Sequence, residues 1–346
     1  MGPLFCSWVF MALFSPQSLK LMLKWWRTWG SLPVLPWVQA AALYRKGQYR
    51  AAEPLYRSGL DKCFTHPAQH CARLDLAYCL FKNGKFDSAE EELKNVIHHL
   101  PRSKEGYLRL ARLQMWRGQS LEAAWTMRRA QRNVTFDKDM ACLFLYAALD
   151  SRAPHYLVQE ALRCLDAAEG GELSELQILK IQALQARARM LSKHNNSVEF
   201  SQARTELAQV AAHVDAPFEV SLLFAEVLIE EGKIAHARRL LRRALHVSPE
   251  YPRLLSLLAE SYLRSGPFYN PEYAKQLATT ACQSASWSSP RELHVMAEAY
   301  YHLGDKISAL VTASKAKDLG SRLLGTYTHA RTLDELITNL ASGTQA

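Results

Sequence analysis

The sequence predicts an all-α solenoid of about eight stacked helix pairs, closed by a single C-terminal helix. Three observations carry this. The 346 residues include only 15 Gly and 14 Pro while Ala and Leu abound, a helix-forming composition. Gly84 and Gly118 stand 34 residues apart, and so do Gly232 and Gly266. Four segments (74–101, 108–131, 222–249 and 295–316) share one pattern. In each, an apolar helical stretch with a small residue at its centre leads to a Gly, and a second stretch follows with Ala three to six residues on. Small residues let two helices approach where they cross, larger ones fill the gap beside them, and Gly supplies the positive φ of the turn. One pair cannot bury its own apolar face, so pairs must stack.

Residues 1–36 form an apolar and basic N-terminal segment. Residues 4–14 (LFCSWVFMALF) are too few for the ~20 residues of a spanning helix. No basic stretch precedes them and no clear cleavage site follows. After Pro16, a helix from Gln17 to Trp29 would be about 20 Å long, short of a bilayer core of ~30 Å. Lys20, Lys24 and Arg27 fall on one face of it. Leu19, Met22, Leu23 and Trp26 fall on the other, with Trp25 and Trp29 at the flanks. This is the composition of an interfacial amphipathic helix. The expected membrane contacts are therefore Lys20, Lys24, Trp25, Trp26, Arg27 and Trp29, against an anionic membrane surface. Three readings compete: a kinked spanning helix over 4–23, an N-terminal cap of the solenoid, and an organelle-targeting peptide.

Residues 37–135 hold three regular repeats, and 216–322 hold the later ones. Residues 136–215 between them are degenerate. Within 140–168 a helix pair lacks a turn Gly, and Pro154 breaks it instead. Ser174 with Gln177 makes a capping box for a helix over roughly 174–192, and Ala203 and Leu207 then fit its partner after the polar loop SKHNNS. In 323–346, Thr332 and Glu335 read as another capping box. Leu333, Leu336, Ile337 and Leu340 make one apolar face, as a helix covering the open end of a solenoid requires.

The pattern resembles the tetratricopeptide repeat (TPR) family. The family's small residue on the first helix matches Ala40, Ala77, Ala111, Ala225, Ala259 and Ala297, and its larger residue three further on matches Leu43, Leu80, Leu228, Tyr262 and Tyr300. Its Ala on the second helix matches Ala52, Ala89, Ala123, Ala237 and Ala309, and its closing Pro matches Pro101 and Pro249. The resemblance implies a right-handed superhelix whose first helices line a concave groove for extended or helical protein segments. The groove positions map onto Tyr78, Phe81 and Lys82, then Arg112, Met115 and Trp116. Further on they map onto Leu222, Glu226 and Ile229, then Glu260 and Leu263, then Glu298, Tyr301 and His302. The expected partner-binding residues are Tyr78, Lys82, Arg112, Trp116, Glu226, Glu260, Glu298 and Tyr301. The three glutamates would stack into an acidic stripe, unless they pair with Arg253, Arg264 and Arg291. The Lys and Asn of the family's carboxylate clamp are absent, with Trp37, Ala41 and Leu74 near those places, which argues against a co-chaperone of that kind.

The net charge of +9 is uneven: residues 1–52 carry six cations and no acid, and the other 294 sum to +3. The positive field thus belongs to one end, where a nucleic-acid binder would spread a basic stripe over its body, so nucleic acid is not the expected partner. The seven cysteines form no C-x-x-C pair and fall mostly in apolar helical patterns, which predicts free thiols in a reducing, cytoplasmic setting. No nucleophile elbow, zincin, P-loop or dinucleotide motif occurs, so no enzyme and no cofactor are expected. Cys63, His66, His70 and Cys71, with His98 and His99, are too irregular for a tetrahedral metal site, and Cys71 is expected to face a helix interface. Arg128, Arg129 and Arg132, and Arg238, Arg239, Arg242 and Arg243, read as a solvated outer face with acidic neighbours. The function expected is a non-enzymatic TPR scaffold or adaptor, attached to a membrane surface, that assembles or positions other proteins. The alternative is a soluble chaperone-like adaptor holding a peptide segment in its groove.

Overall fold

The structure, a computed structural model, describes residues 35–62, 69–169, 173–192, 197–323, 327 and 329–342. Among the described residues, the helices follow one another as eight pairs and a final single helix. The first pairs are α1 (Leu35–Arg45) with α2 (Tyr49–Lys62), α3 (Gln69–Lys82) with α4 (Phe86–His99), and α5 (Lys104–Trp116) with α6 (Ser120–Gln131). Next come α7 (Lys138–Asp150) with α8 (His155–Ala167), and α9 (Glu175–Ser192) with α10 (Ser197–Ala212). The last pairs are α11 (Phe218–Glu230) with α12 (Ile234–Val247), α13 (Pro252–Leu263) with α14 (Pro271–Ser284), and α15 (Pro290–His302) with α16 (Lys306–Ser321). The helix α17 (Ala330–Ser342) follows alone. The chain divides into two compact units between Glu92 and Leu93.

In the first unit, α1 packs on α2 and α2 on α3. The crossing residues Ala40, Ala52, Ala77 and Ala89 are buried, with Tyr56, Leu76 and Leu80 filling the space around them. Burying each large apolar side chain contributes roughly 1.5–3 kcal/mol. Glu53 on α2 accepts from Lys85 Nζ at 2.8 Å and Asn83 Nδ2 at 2.8 Å, so it ties the turn after α3 to the helix beneath it. Burial opposes its charge, but these donors and Arg57 hold its carboxyl below the usual range.

In the second unit each first helix of a pair touches the next: α5 to α7, α7 to α9, and on through α11, α13, α15 and α17. Ala111, Ala225, Ala259 and Ala297 are buried at the crossings. Side chains supply several starts: Ser103 Oγ accepts from Gly106 N at 3.1 Å, and Asp137 Oδ1 accepts from Met140 N at 2.9 Å. Ser174 and Gln177 form the expected capping box, with Gln177 N donating to Ser174 Oγ at 3.3 Å and Ser174 N to Gln177 Oε1 at 3.1 Å. The degenerate pair α7–α8 solves its missing Gly by placing Arg152 at φ 49°.

Four expectations are corrected. The helix α17 starts at Ala330, so Thr332 lies inside it and donates to His329 O at 2.9 Å, while Glu335 pairs with Arg331 at 3.0 Å; no capping box forms there. Leu333 and Leu340 are nevertheless buried. Cys71 is exposed, because it sits on the first turn of α3, whereas Cys79, Cys142, Cys164 and Cys282 are buried. The second arginine cluster is solvated only in part, at Arg239 and Arg242, and no acid pairs with it among the described residues. Arg238 is buried and donates to Ser261 O, Arg242 donates to the Tyr262 hydroxyl, and Arg243 donates to Ala211 O. Carbonyls and a ring 4.2 Å from the Arg238 guanidinium do the work expected of carboxylates. Lastly, Leu222, Ile229 and Leu263 do not line an open groove, since all three are buried. The reason is that α7 is buried at every position from Met140 to Leu149, and α11, α13 and α15 nearly so. A helix packed all round offers no continuous open face along its length, so these first helices present no extended groove.

Candidate functional site

Much of the inner side of the second unit is filled by the unit itself. The turn after α5 meets the junction of α14 and α15, far along the chain. Trp116 at the end of α5 donates its indole N–H to Ser284 O at 2.9 Å. The φ of Gly118 is +71°, and a Cβ there would run into Ser289 Oγ, so only Gly fits this contact. Ser120 donates to Asp150, and Arg291 Nη1 lies 3.1 Å from the same carboxylate. Burial opposes the Asp150 charge, but Arg291 and Arg253 hold its carboxyl below the usual range. Ser289 donates to Glu292, whose other oxygen accepts from Ser256 Oγ at 3.3 Å. A band of buried, satisfied polar groups therefore replaces part of the open concave surface.

One recess remains beside this closure. Its floor is aromatic. The Trp116 ring meets Tyr251 edge-on, with centroids 5.5 Å apart, and Tyr251 leans on Phe218 at 4.8 Å. With Met115, Leu143 and Tyr146 they line a cavity of ≈ 530 Å³. Burial pushes the hydroxyls of Tyr146 and Tyr251 up, so both stay neutral. On the walls, Lys180 pairs with Glu219 at 2.7 Å and Asp139 accepts from Gln177 Nε2 at 3.0 Å. Arg112 and Glu250 also line the recess; both are exposed, and neither has an ion-pair partner among the described residues.

The residues expected from sequence are thus distributed over several places. Arg112 and Trp116 come together in the recess. Tyr78 and Lys82 come together in the first unit, where Lys82 Nζ lies 5.8 Å from the Tyr78 ring, itself 5.5 Å from both Tyr44 and Tyr49. The three glutamates do not form a free acidic stripe. Glu226 is held by Arg253 at 2.5 Å and Glu260 by Arg264 at 2.7 Å. Glu298 lies 3.5 Å from His294, and burial, then Glu260, pushes its carboxyl up to about 7. Arg291, an expected partner of these acids, is committed to Asp150. Tyr301 is exposed at the end of α15, beside His302. Sequence reasoning missed Phe218, Tyr251 and Lys180. Their only signal was an aromatic residue two places after the closing Pro249, which reads as loop. Lys20, Lys24, Trp25, Trp26, Arg27 and Trp29 lie outside the described residues, as do Cys63 and His66. Among the described residues no helix is long and apolar enough to cross a membrane, and no three His, Cys, Asp or Glu side chains are grouped to hold a metal ion.

Sequence models of the tetratricopeptide repeat match residues 43–102, and residues 74–137 and 222–267. No curated protein matches the chain. Among solved structures, yeast Tom70 superposes with a TM-score of 0.46 at 16% identity, covering 86% of this chain and 59% of that one. The APC/C hetero-tetramer Cut9–Hcn1 gives 0.44 at 10% identity, covering 88% of this chain and 55% of the other. A tetratricopeptide repeat protein from Parabacteroides merdae gives 0.39 at 12% identity, covering 90% of this chain and all of that one. The chain therefore spans less than two thirds of the length of the first two. Residues 43–137 and 222–267 of the chain are thus identified as tetratricopeptide repeats, which are protein-interaction modules.

Proposed function

We propose that the chain is a non-enzymatic scaffold that takes a segment of a partner protein at the Trp116 recess and is held at a membrane surface by residues 17–29. One observation carries the first part: the recess is an aromatic-floored concavity of ≈ 530 Å³ on a unit whose neighbouring first helices are buried. Concave sites with an apolar floor and a few polar walls are where protein surfaces bind ligands. Trp, Tyr and Arg are the residue types that carry most interface energy, and Arg112, Trp116 and Tyr251 supply all three. The test is quantitative pull-down with mass spectrometry from the native cell. Arg112→Glu is expected to deplete a set of partners that Glu298→Gln leaves in place. Equal partner sets for both variants would refute this site.

Support for the membrane part lies in the sequence alone. Three cations near an anionic leaflet contribute about 1 kcal/mol each, and a row of tryptophans suits the headgroup boundary. The full chain is expected to float with anionic vesicles, and changing Lys20, Lys24 and Arg27 together to Glu is expected to abolish this. Flotation unchanged by the triple substitution would refute the attachment.

A further inference from the structure

We infer that the Trp116 recess selects a partner segment in which one large apolar side chain stands between an acidic residue, facing Arg112, and a basic residue, facing Glu250. The inference rests on the partner-binding reading above and adds the chemistry of the partner. Its warrant is which charges around the recess are already used. Lys180 is neutralised by Glu219 at 2.7 Å, while Asp139 accepts from the neutral Gln177 amide at 3.0 Å, which positions this carboxylate on the α7–α9 wall and leaves its charge in place. Arg112 on α5 and Glu250 just before α13 are both exposed, and among the described residues neither has an ion-pair partner. These two are opposite in sign and stand on different elements, so the recess carries a direction. Its floor of Trp116, Phe218 and Tyr251 is apolar and ≈ 530 Å³ in extent, room for an anchoring side chain rather than a whole helix. The anchor supplies affinity, and the opposite charges of Arg112 and Glu250 supply orientation and register. An ion pair at an exposed site is weak, so each matched charge is expected to change affinity only about two- to fivefold. A segment with two like charges gains at one wall and loses at the other.

The test uses the full chain and fluorescence anisotropy with labelled synthetic peptides. The peptides share a central phenylalanine and differ only in the flanking positions: acid then base, base then acid, both acidic, both basic, or both neutral. One of the two mixed orders is expected to bind most tightly, by roughly four- to twenty-five-fold over the neutral peptide, with the margin shrinking at high salt. The double variant Arg112→Glu, Glu250→Arg is expected to prefer the other order. Both side chains are exposed, so the fold is not at stake. Equal binding of neutral and mixed peptides, tightest binding of a like-charged peptide, no binding of any, or an unswapped preference would each overturn the inference. So would a wild-type dimer that dissociates in the double variant, because it would seat a second copy of the chain there. If the peptides fail while Arg112→Glu still strips partners in the pull-down, only the charge pattern is lost. If the pull-down is also unmoved, the recess itself is wrong.

Discussion

The closure of the second unit makes a sharp demand on Arg291. Its guanidinium lies 3.1 Å from Asp150, and the two side chains are 14% and 6% exposed. Arg291→Met would leave that carboxylate with Ser120 and the more distant Arg253. Breaking a buried pair from one side costs about 3–5 kcal/mol, because a charge stays behind without compensation. Removing both charges leaves no such residue, so Asp150→Leu with Arg291→Met is expected within about 1 kcal/mol of wild type, or above it. The single variant also acquires a pH signature. Without Arg291 the Asp150 carboxyl rises and takes a proton more readily, so the loss is smaller at pH 5 than at pH 8. Urea unfolding followed by circular dichroism at both pH values, for wild type, both singles and the double, completes the cycle. If Arg291→Met costs under about 1 kcal/mol, or if the double costs the sum of the singles, the buried pair is not what joins these turns.

Three further outcomes follow from the same geometry. Gly118→Ala is expected to cost about 2–3 kcal/mol, since it combines a left-handed φ with a collision against Ser289; Gly232→Ala, at φ +75° with open space, is expected to cost about 1. Equal shifts in urea midpoint would contradict this. Glu298 has its folded pKa raised to about 7, chiefly by burial, so the folded state is penalised as pH rises from the unfolded value of ~4.5 through 7. Glu298→Gln should thus stabilise the chain relative to wild type at pH 8 and hardly at all at pH 4.5; a gain independent of pH would rule out burial of that carboxyl. Burial pushes His294 down to about 4, so its contribution is intact above pH 6.5 and lost as pH falls toward 4. His294→Gln should flatten the melting temperature over that window, by at most about 3 kcal/mol in equivalent stability, and an unaltered acid limb would refute it.

The local parts of this fold were legible because they repeat. A helix crossing needs a small residue every period, and Ala40, Ala77, Ala111, Ala225, Ala259 and Ala297 mark six first helices without help from the rest of the chain. The glycines at 84, 118 and 232 have positive φ for the same local reason. The site was legible only in its first half. Arg112 and Trp116 share one helix face at a spacing of four, which a sequence displays. Phe218, Tyr251 and Lys180 join them only because several helix pairs intervene and the chain returns to the same place, and no periodicity encodes that return. The arginines of α12 failed for a related reason: a run of cations looks solvated until the carbonyls of neighbouring pairs, at Ala211 and Ser261, are put beside it.

That return also bears on how such an array binds. An open groove offers its first helices, and the sequence logic of the family places ligand contacts there. Here α7 carries an unbroken buried run from Met140 to Leu149, and Glu226, Glu260 and Arg291 are engaged by partners within the unit. The groove positions have thus been spent on internal pairs, which lowers their value for a ligand because each would first have to be released. Arg112 is different, since it occupies a groove position and has no ion-pair partner among the described residues. On the proposed reading, recognition falls to the ends of helices and the turns between pairs, where Trp116, Ser248 and Glu250 stand. Turn residues tolerate exchange better than buried first helices do. The proposed site would thus separate what must be kept for closure, such as Asp150, Arg291 and Gly118, from what can vary to choose a partner. A scan of charge reversals is expected to divide along that line. Changes at Arg112 and Glu250 should alter binding while leaving urea midpoints unmoved, and changes at Asp150 and Arg291 should do the reverse until the protein unfolds.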